Sequence, residues 1–290
     1  MLEVAPMPEL PEVETVCRGL RPKLEGHVLT GVTQRRPDLR FPIPPDFVGR
    51  LCGRRVVSLG RRAKFILATL DDATVLIAHL GMSGRMIMYD GPPPPAGPHD
   101  HVEFVTDAGC TIRFCDPRRF GLLDLTTADA LGSHRMLRDL GPEPLSADFS
   151  PAYLDRALAG RRTPIKAALL DQKIVAGLGN IYVCEAMFRA GVSPRRSAHT
   201  VPGVRTQKLV PVIREVLEEA IAAGGSSLRD YVQASGELGY FQHRWQVYGR
   251  EGEPCGHGSA PGGPNRACDG QIRRITQSGR STFYCGRHQR

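Results

Sequence analysis

What this 290-residue chain lacks narrows its class before any motif does. No apolar run approaches the ~20 residues needed to cross a bilayer, and the N-terminus has no hydrophobic signal-peptide core. The expectation is a soluble, cytoplasmic protein with no membrane partner. No repeat period runs through the chain, which excludes a solenoid array. An acidic excess is missing too: Lys and Arg outnumber Asp and Glu by 38 to 30, for a net charge of +8 and a pI near 9.3. That balance favours a polyanionic partner such as nucleic acid. Cysteine is sparse and uneven among its eight positions. Cys17, Cys52, Cys110, Cys115 and Cys184 stand in apolar contexts and read as buried thiols, whereas Cys255, Cys268 and Cys285 crowd the tail as candidate metal ligands.

Length makes two domains the natural expectation, with room for a small third module. Near the N-terminus, Val13, Val16, Cys17, Leu20 and Leu24 fall on one helical face; Pro11 suits the first helical position and Gly26 the end. From Val28 to about Leu125 the pattern changes to short β-like runs, 56–59, 65–70, 75–80, 102–106 and 111–114. Turn signals separate them, which suggests antiparallel sheets packed as a sandwich. Pro92 to Pro95 form a stiff insert between strands. Beyond Gly132 the chain turns helical, with Gly141-Pro142-Glu143-Pro144 as a linker and helices predicted over 151–159, 164–175, 180–190 and 203–223. Pro211 is expected to kink the last.

Several clusters can carry chemistry. In Met7-Pro8-Glu9-Leu10-Pro11-Glu12, initiation at Met7 and its removal would leave the Pro8 nitrogen a free secondary amine, which is a nucleophile. Glu9 is placed for proton transfer beside it and Glu12 for assistance, although both also suit the positive end of a helix. Lys64, in Arg61-Arg62-Ala63-Lys64-Phe65, is an isolated cation at the mouth of an apolar strand. His99-Asp100-His101 lacks nearby partners at a metal-site spacing. Lys166 to Tyr182 reads as helix, two turns, helix, with Gly177-Leu178-Gly179-Asn180 at the junction. There Asn180 can cap the second helix, free helix N–H groups favour a phosphate, and Lys166 can add a charged contact.

These motifs, in this order, resemble the bacterial formamidopyrimidine-DNA glycosylases and their endonuclease VIII relatives, over essentially Met7 to His288. The resemblance implies an α+β fold: an N-terminal helix on an antiparallel β-sandwich (7–132), a linker (133–150), a helical helix-two-turn-helix domain (151–245) and a β-hairpin zinc finger (246–290), with DNA in the cleft between. It implies a monomeric, bifunctional base excision repair enzyme, nucleoid-associated through its DNA binding. Such an enzyme removes 8-oxoguanine and formamidopyrimidines from double-stranded DNA and cuts the strand by β,δ-elimination through a Schiff base on Pro8.

By the same resemblance Lys64 and Arg280, the latter in Ser278-Gly279-Arg280-Ser281, are acids in the elimination steps, and Glu9 serves the opening sugar. Met82, in His79-Leu80-Gly81-Met82-Ser83-Gly84, and Arg118 and Phe120, in Asp116-Pro117-Arg118-Arg119-Phe120-Gly121, fill the gap left by the everted base. His99, Arg162, Lys166 and Asn180 are DNA contacts, and the stretch from Gln233 to Phe241, with Glu237 and Leu238, corresponds to a loop over the everted base.

The tail departs from the two Cys-x-x-Cys pairs of most relatives. Cys255 and Cys268 are separated by twelve residues, and Cys285-Gly286-Arg287-His288 follows. Three thiolates and an imidazole satisfy tetrahedral zinc, with His257 as a competing ligand. Ideal closure of the longer loop adds only about 1.5 kcal/mol, against on the order of 10 kcal/mol from a structural zinc. Two rivals remain: an enzyme of the superfamily that prefers oxidised pyrimidines, and a non-catalytic lesion binder in which Met1 to Pro6 are retained and Pro8 is an amide. The expectation is that Met7 is the true start.

Overall fold

The computed structural model describes residues 7–226, 241–258 and 268–290. The chain divides into two compact units, 1–139 with 220–242 and 140–219 with 243–290.

The first unit opens with helix α1, Leu10–Leu24. Pro11 stands at its second position, and Gly26, at φ 81°, lets the chain leave the helix in a conformation that a Cβ would strain. The face bearing Leu10, Val13, Val16, Cys17, Leu20 and Leu24 is buried. Strand β1 (Leu29–Gln34) and the short helix α2 (Phe47–Leu51) follow. Then come β2 (Val56–Arg62), β3 (Phe65–Leu70), β4 (Thr74–His79), β5 (Arg85–Asp90), β6 (Asp100–Thr106), β7 (Cys110–Cys115) and β8 (Leu122–Thr127).

They form two antiparallel four-stranded sheets, in orders β1-β6-β7-β5 and β2-β3-β4-β8. Alternation is clean in β3, whose burial switches at every residue, while β7 is buried throughout. A strand buried on both sides loses the polar half of its pattern. The helix packs on β2 and β3. Between the sheets remains an apolar cavity of about 30 Å³, lined by Leu20, Leu24, Leu59, Ile66, Met86 and Phe104 among others.

The buried-thiol expectation holds for Cys17, Cys110, Cys115 and Cys184 but not for Cys52, which is exposed. Cys52 is the C-cap of α2, where the chain turns outward, and its Sγ lies 3.7 Å from the Thr30 carbonyl. Burial pushes the Cys17 thiol up to about 12.

The second unit holds α3 (Pro151–Leu158), α4 (Ile165–Leu170), α5 (Asn180–Arg189) and most of α6 (Val204–Ala222), which continues through Pro211. It ends in a hairpin of β9 (Ile272–Gln277) and β10 (Arg280–Cys285). The helix expected over 164–175 stops at Leu170. Asp171 Oδ1 accepts the Lys173 N–H at 3.0 Å, and the Gln172 side chain donates to the carbonyls of Leu170 and Leu178 and accepts the Gly177 N–H. These side chains satisfy the backbone groups that another helical turn would have used, so the chain turns instead.

Helix α5 is buried from Asn180 to Phe188. Its Glu185 carboxylate receives the N–H groups of Gln246, Val247 and Tyr248 at 2.8–3.0 Å, anchoring the approach to the hairpin. Cys184 and Phe188 form the hairpin's apolar core with Val247, Ile272 and Phe283.

Candidate active site

Pro8 is buried immediately ahead of α1. Glu9 is the helix N-cap, in extended conformation, and forms a reciprocal capping box with Glu12: the Glu9 N–H donates to Glu12 Oε2 at 2.9 Å. The other Glu12 oxygen accepts the Ser226 N–H at 2.9 Å. Glu12, fully buried, thus spends both oxygens on backbone donors and fixes the position of its neighbours, while Glu9 stands between it and Pro8.

Lys64 sits in the two-residue turn that joins β2 to β3, where Arg62 pairs with Phe65 and Ala63 takes φ 52°. The turn is tied to α1 through Arg61, whose Nε donates to Glu14 Oε2 at 3.0 Å and whose Nη1 donates to the Ala63 carbonyl at 2.9 Å. Burial alone would raise the Glu14 carboxyl, but hydrogen bonds and charge from Arg18 and Arg61 outweigh it and hold the group below its usual range. Lys64 itself is buried.

Next to this turn is a residue that the motif reading passed over. His79 ends β4 opposite Phe65, with the two rings 4.9 Å apart, and its Nδ1 accepts the Gly81 N–H at 2.9 Å. Burial, then the charges of Lys64 and Arg40, push its pKa down to about 4. The ring is therefore neutral with its proton on Nε2. Because the folded value lies below the unfolded one, near 6.5, this group's share of stability is complete above that pH and is lost as pH falls toward 4. An NMR titration should find the His79 midpoint near 4. A midpoint near 6.5 would contradict the assignment.

His79 also opens the loop of Met82, which is half-buried. Facing it is the loop of Arg118 and Phe120, both exposed, with the guanidinium 5.1 Å from the ring centroid. Phe120 is 44% exposed, one of the few large apolar side chains left in solvent among the described residues. His99 is exposed in the preceding loop. Its neighbours are committed elsewhere: Asp100 pairs with Arg113, and His101 Nε2 lies 2.9 Å from the Asp116 carbonyl.

In the second unit Arg162 is exposed just before α4, but Lys166 is 1% exposed. Its Nζ donates to the Ser281 carbonyl at 2.8 Å and to Thr282 Oγ1 at 2.7 Å. Asn180 does not cap α5; Gly179 occupies the N-cap, and the Asn180 amide donates to the same Ser281 carbonyl at 2.9 Å. Both side chains thus grip the residue after Arg280. Arg280 is exposed beside a two-residue turn, Ser278-Gly279, whose φ values of 49° and 72° match a type I′ hairpin. Glu237 and Leu238 lie outside the described residues.

The tail cysteines converge. The Sγ atoms of Cys255, Cys268 and Cys285 lie within 4.8 Å of one another, and those of Cys268 and Cys285 are 3.8 Å apart. Two thiolates at about 2.3 Å from one tetrahedral ion would be separated by about 3.8 Å. A Cβ on Gly270 would fall 2.5 Å from Cys285 Sγ, so only glycine leaves that space. The donor set therefore fits a thiophilic ion. Neither expected histidine belongs to this group. His288 Nε2 is 2.7 Å from the Phe188 carbonyl, and its ring stacks on His257 with centroids 3.6 Å apart. That bond places the proton on Nε2 and leaves Nδ1 as the nitrogen able to ligate.

Comparison with known proteins matches residues 7–123 to the formamidopyrimidine-DNA glycosylase N-terminal domain and 140–232 to the formamidopyrimidine-DNA glycosylase H2TH domain. The chain is 60% identical to the formamidopyrimidine-DNA glycosylase of Rhodospirillum centenum, over 98% of this chain and 100% of that one. Among solved structures it is similar to the MutM (Fpg) protein of Thermus thermophilus, with TM-score 0.81 and 40% identity over 96% and 97% of the two chains. It is also similar to Lactococcus lactis Fpg in complex with abasic-site DNA, with TM-score 0.86 and 31% identity over 98% and 100%. A mutant of the Lactococcus protein was solved with Fapy-dG-containing DNA. With both domains matched in order and a relative of such identity aligned along its whole length, the chain belongs to the bacterial formamidopyrimidine-DNA glycosylase family.

Proposed function

We propose that this protein is a base excision repair DNA glycosylase that removes oxidised purines from double-stranded DNA and then cleaves the strand as a lyase. The observation that carries the reading is the head of α1, where Pro8 and the capping glutamates are tied through Glu14 and Arg61 to the Lys64 turn. In this reading the Pro8 nitrogen, free once the preceding residues are absent, attacks C1′ and the damaged base departs with the bonding electrons. Glu9 delivers a proton to the opening sugar, and the resulting iminium acidifies the 2′ carbon, which gives up its proton to water or to the Glu9 carboxylate left by that transfer, so the 3′ and then the 5′ phosphate leave with the C–O bonding electrons. Lys64 and Arg280 supply protons in those steps. Glu12 acts by holding the Glu9 backbone. Met82, Arg118 and Phe120 fill the vacated stack, His99 and Arg162 meet phosphates, and DNA lies against both units. The cell compartment is the cytoplasm, at the nucleoid.

Cys255, Cys268 and Cys285 would hold a zinc ion, which would add structural stability to the hairpin that carries Arg280. Chelation should release one zinc per chain and unpair the hairpin strands, opening the bonds after the already exposed Arg273 and Arg274 to trypsin. Resistance to trypsin that survives chelation would leave packing alone as the hairpin's support.

Excision of 8-oxoguanine should exceed that of thymine glycol in matched duplexes. The reverse order would move the protein to the pyrimidine-directed branch.

A further inference from the structure

The loop of Met82 and the loop of Arg118 and Phe120 come from different strand connections, yet one buried carboxylate joins them. Asp116 has no solvent exposure. Its Oδ1 accepts the Ser83 hydroxyl at 2.6 Å, and its Oδ2 accepts the Gly121 N–H at 2.7 Å. Ser83 Oγ in turn accepts the Arg118 N–H at 3.1 Å, so the hydroxyl next to Met82 holds the backbone of Arg118 directly. The Asp116 carbonyl receives the Arg119 N–H and the ring nitrogen of buried His101. Backbones also touch: a Cβ on Gly81 would lie 2.3 Å from the Phe120 carbonyl carbon and 2.4 Å from the Gly121 nitrogen.

We propose that Asp116 and Ser83 are positioning residues that lock the two loops into one rigid wedge, so that the methionine and the arginine-phenylalanine pair enter the helix together. This rests on the reading of the protein as a lesion-excising glycosylase. Two loops ordered separately on binding would each lose conformational entropy at the moment of base eversion. Loops already bonded to each other through Asp116 lose it during folding. Neither Asp116 nor Ser83 is exposed enough to touch DNA, so their effect passes through Met82, Arg118 and Phe120.

The test is single-turnover excision of 8-oxoguanine from a duplex carrying 2-aminopurine beside the estranged base, whose fluorescence reports unstacking. S83A should lower both the excision rate and the fluorescence step about ten-fold, the effect of one lost hydrogen bond to a charged group. Cleavage of an abasic site in single-stranded DNA, which leaves no stack to fill, should fall less. S83T, which keeps the hydroxyl, should restore both duplex readouts. D116N carries the same test if S83A fails to fold. A normal fluorescence step in S83A, or equal losses on single and double strands, overturns the proposal. Absence of 8-oxoguanine excision by the unaltered protein would overturn the functional reading itself.

Discussion

A chain that begins at Pro8 should be trapped by borohydride on abasic-site DNA, and the same chain with residues 1–7 ahead of it should not. The reason is electronic. A proline nitrogen in a peptide bond shares its lone pair with the preceding carbonyl and cannot form the iminium; as an N-terminus it is a secondary amine. Loss of a covalent nucleophile costs on the order of a thousand-fold or more. The structure adds a geometric reason for expecting an all-or-none result. Pro8 is buried, and the backbone next to its nitrogen is fixed by the Glu12 carboxylate, which accepts the Glu9 N–H. Intact mass of the natively expressed protein gives the companion measurement. Equal trapping by the extended chain would remove Pro8 from the mechanism.

Lys166→Met should produce the second large effect, and it distinguishes two roles for one cation. As a phosphate contact, its loss would weaken DNA binding and reduce the salt dependence by about one counterion. The structure instead spends its ammonium on Ser281 and Thr282, at the base of the turn that displays Arg280. Removing it leaves the buried Thr282 hydroxyl without a charged donor and the Ser281 carbonyl with the Asn180 amide in its place, a loss of about 1.5–3 kcal/mol. The expected outcome is a lower unfolding temperature and strand cleavage reduced by a hundred-fold or more, with the salt slope of binding unchanged. Trp245, the sole tryptophan, reports the change: its ring is 5.1 Å from Tyr248, which packs on Phe283 of the hairpin. A salt slope reduced by one would return Lys166 to the phosphates.

Much of this was legible in the sequence because short-range rules govern it. The face of α1 and the strand of Phe65–Leu70 follow from periodicity alone. Helix α4 ended early because Gln172 bonds to partners up to six residues away in the chain, which no periodic pattern registers. From their place at a helix junction Asn180 reads as a cap and Lys166 as a charged contact, and the resemblance makes both DNA contacts. Their acceptor lies more than a hundred residues downstream, at Ser281. His79 escaped notice because its signal is an environment: the rings and charges around it come from other strands and loops. His288 shows the reverse. Its spacing suggested a ligand, and the structure instead sets it on the Phe188 carbonyl, outside the group of three thiols.

The bond between Glu12 and Ser226 spans 214 positions. The first unit is therefore interrupted by the eighty residues from 140 to 219, which belong to the other. On the ribosome, at roughly 5–20 residues per second, the strands up to Thr127 wait several seconds before the segment that completes the head of α1 is made. During that interval the Glu12 Oε1 that will hold Ser226 must be satisfied by water. A nascent chain arrested before residue 226 should thus show a collapsed sheet core whose first helix frays at its N-terminal end, and the surroundings of Pro8 would be among the last parts of the protein to take shape.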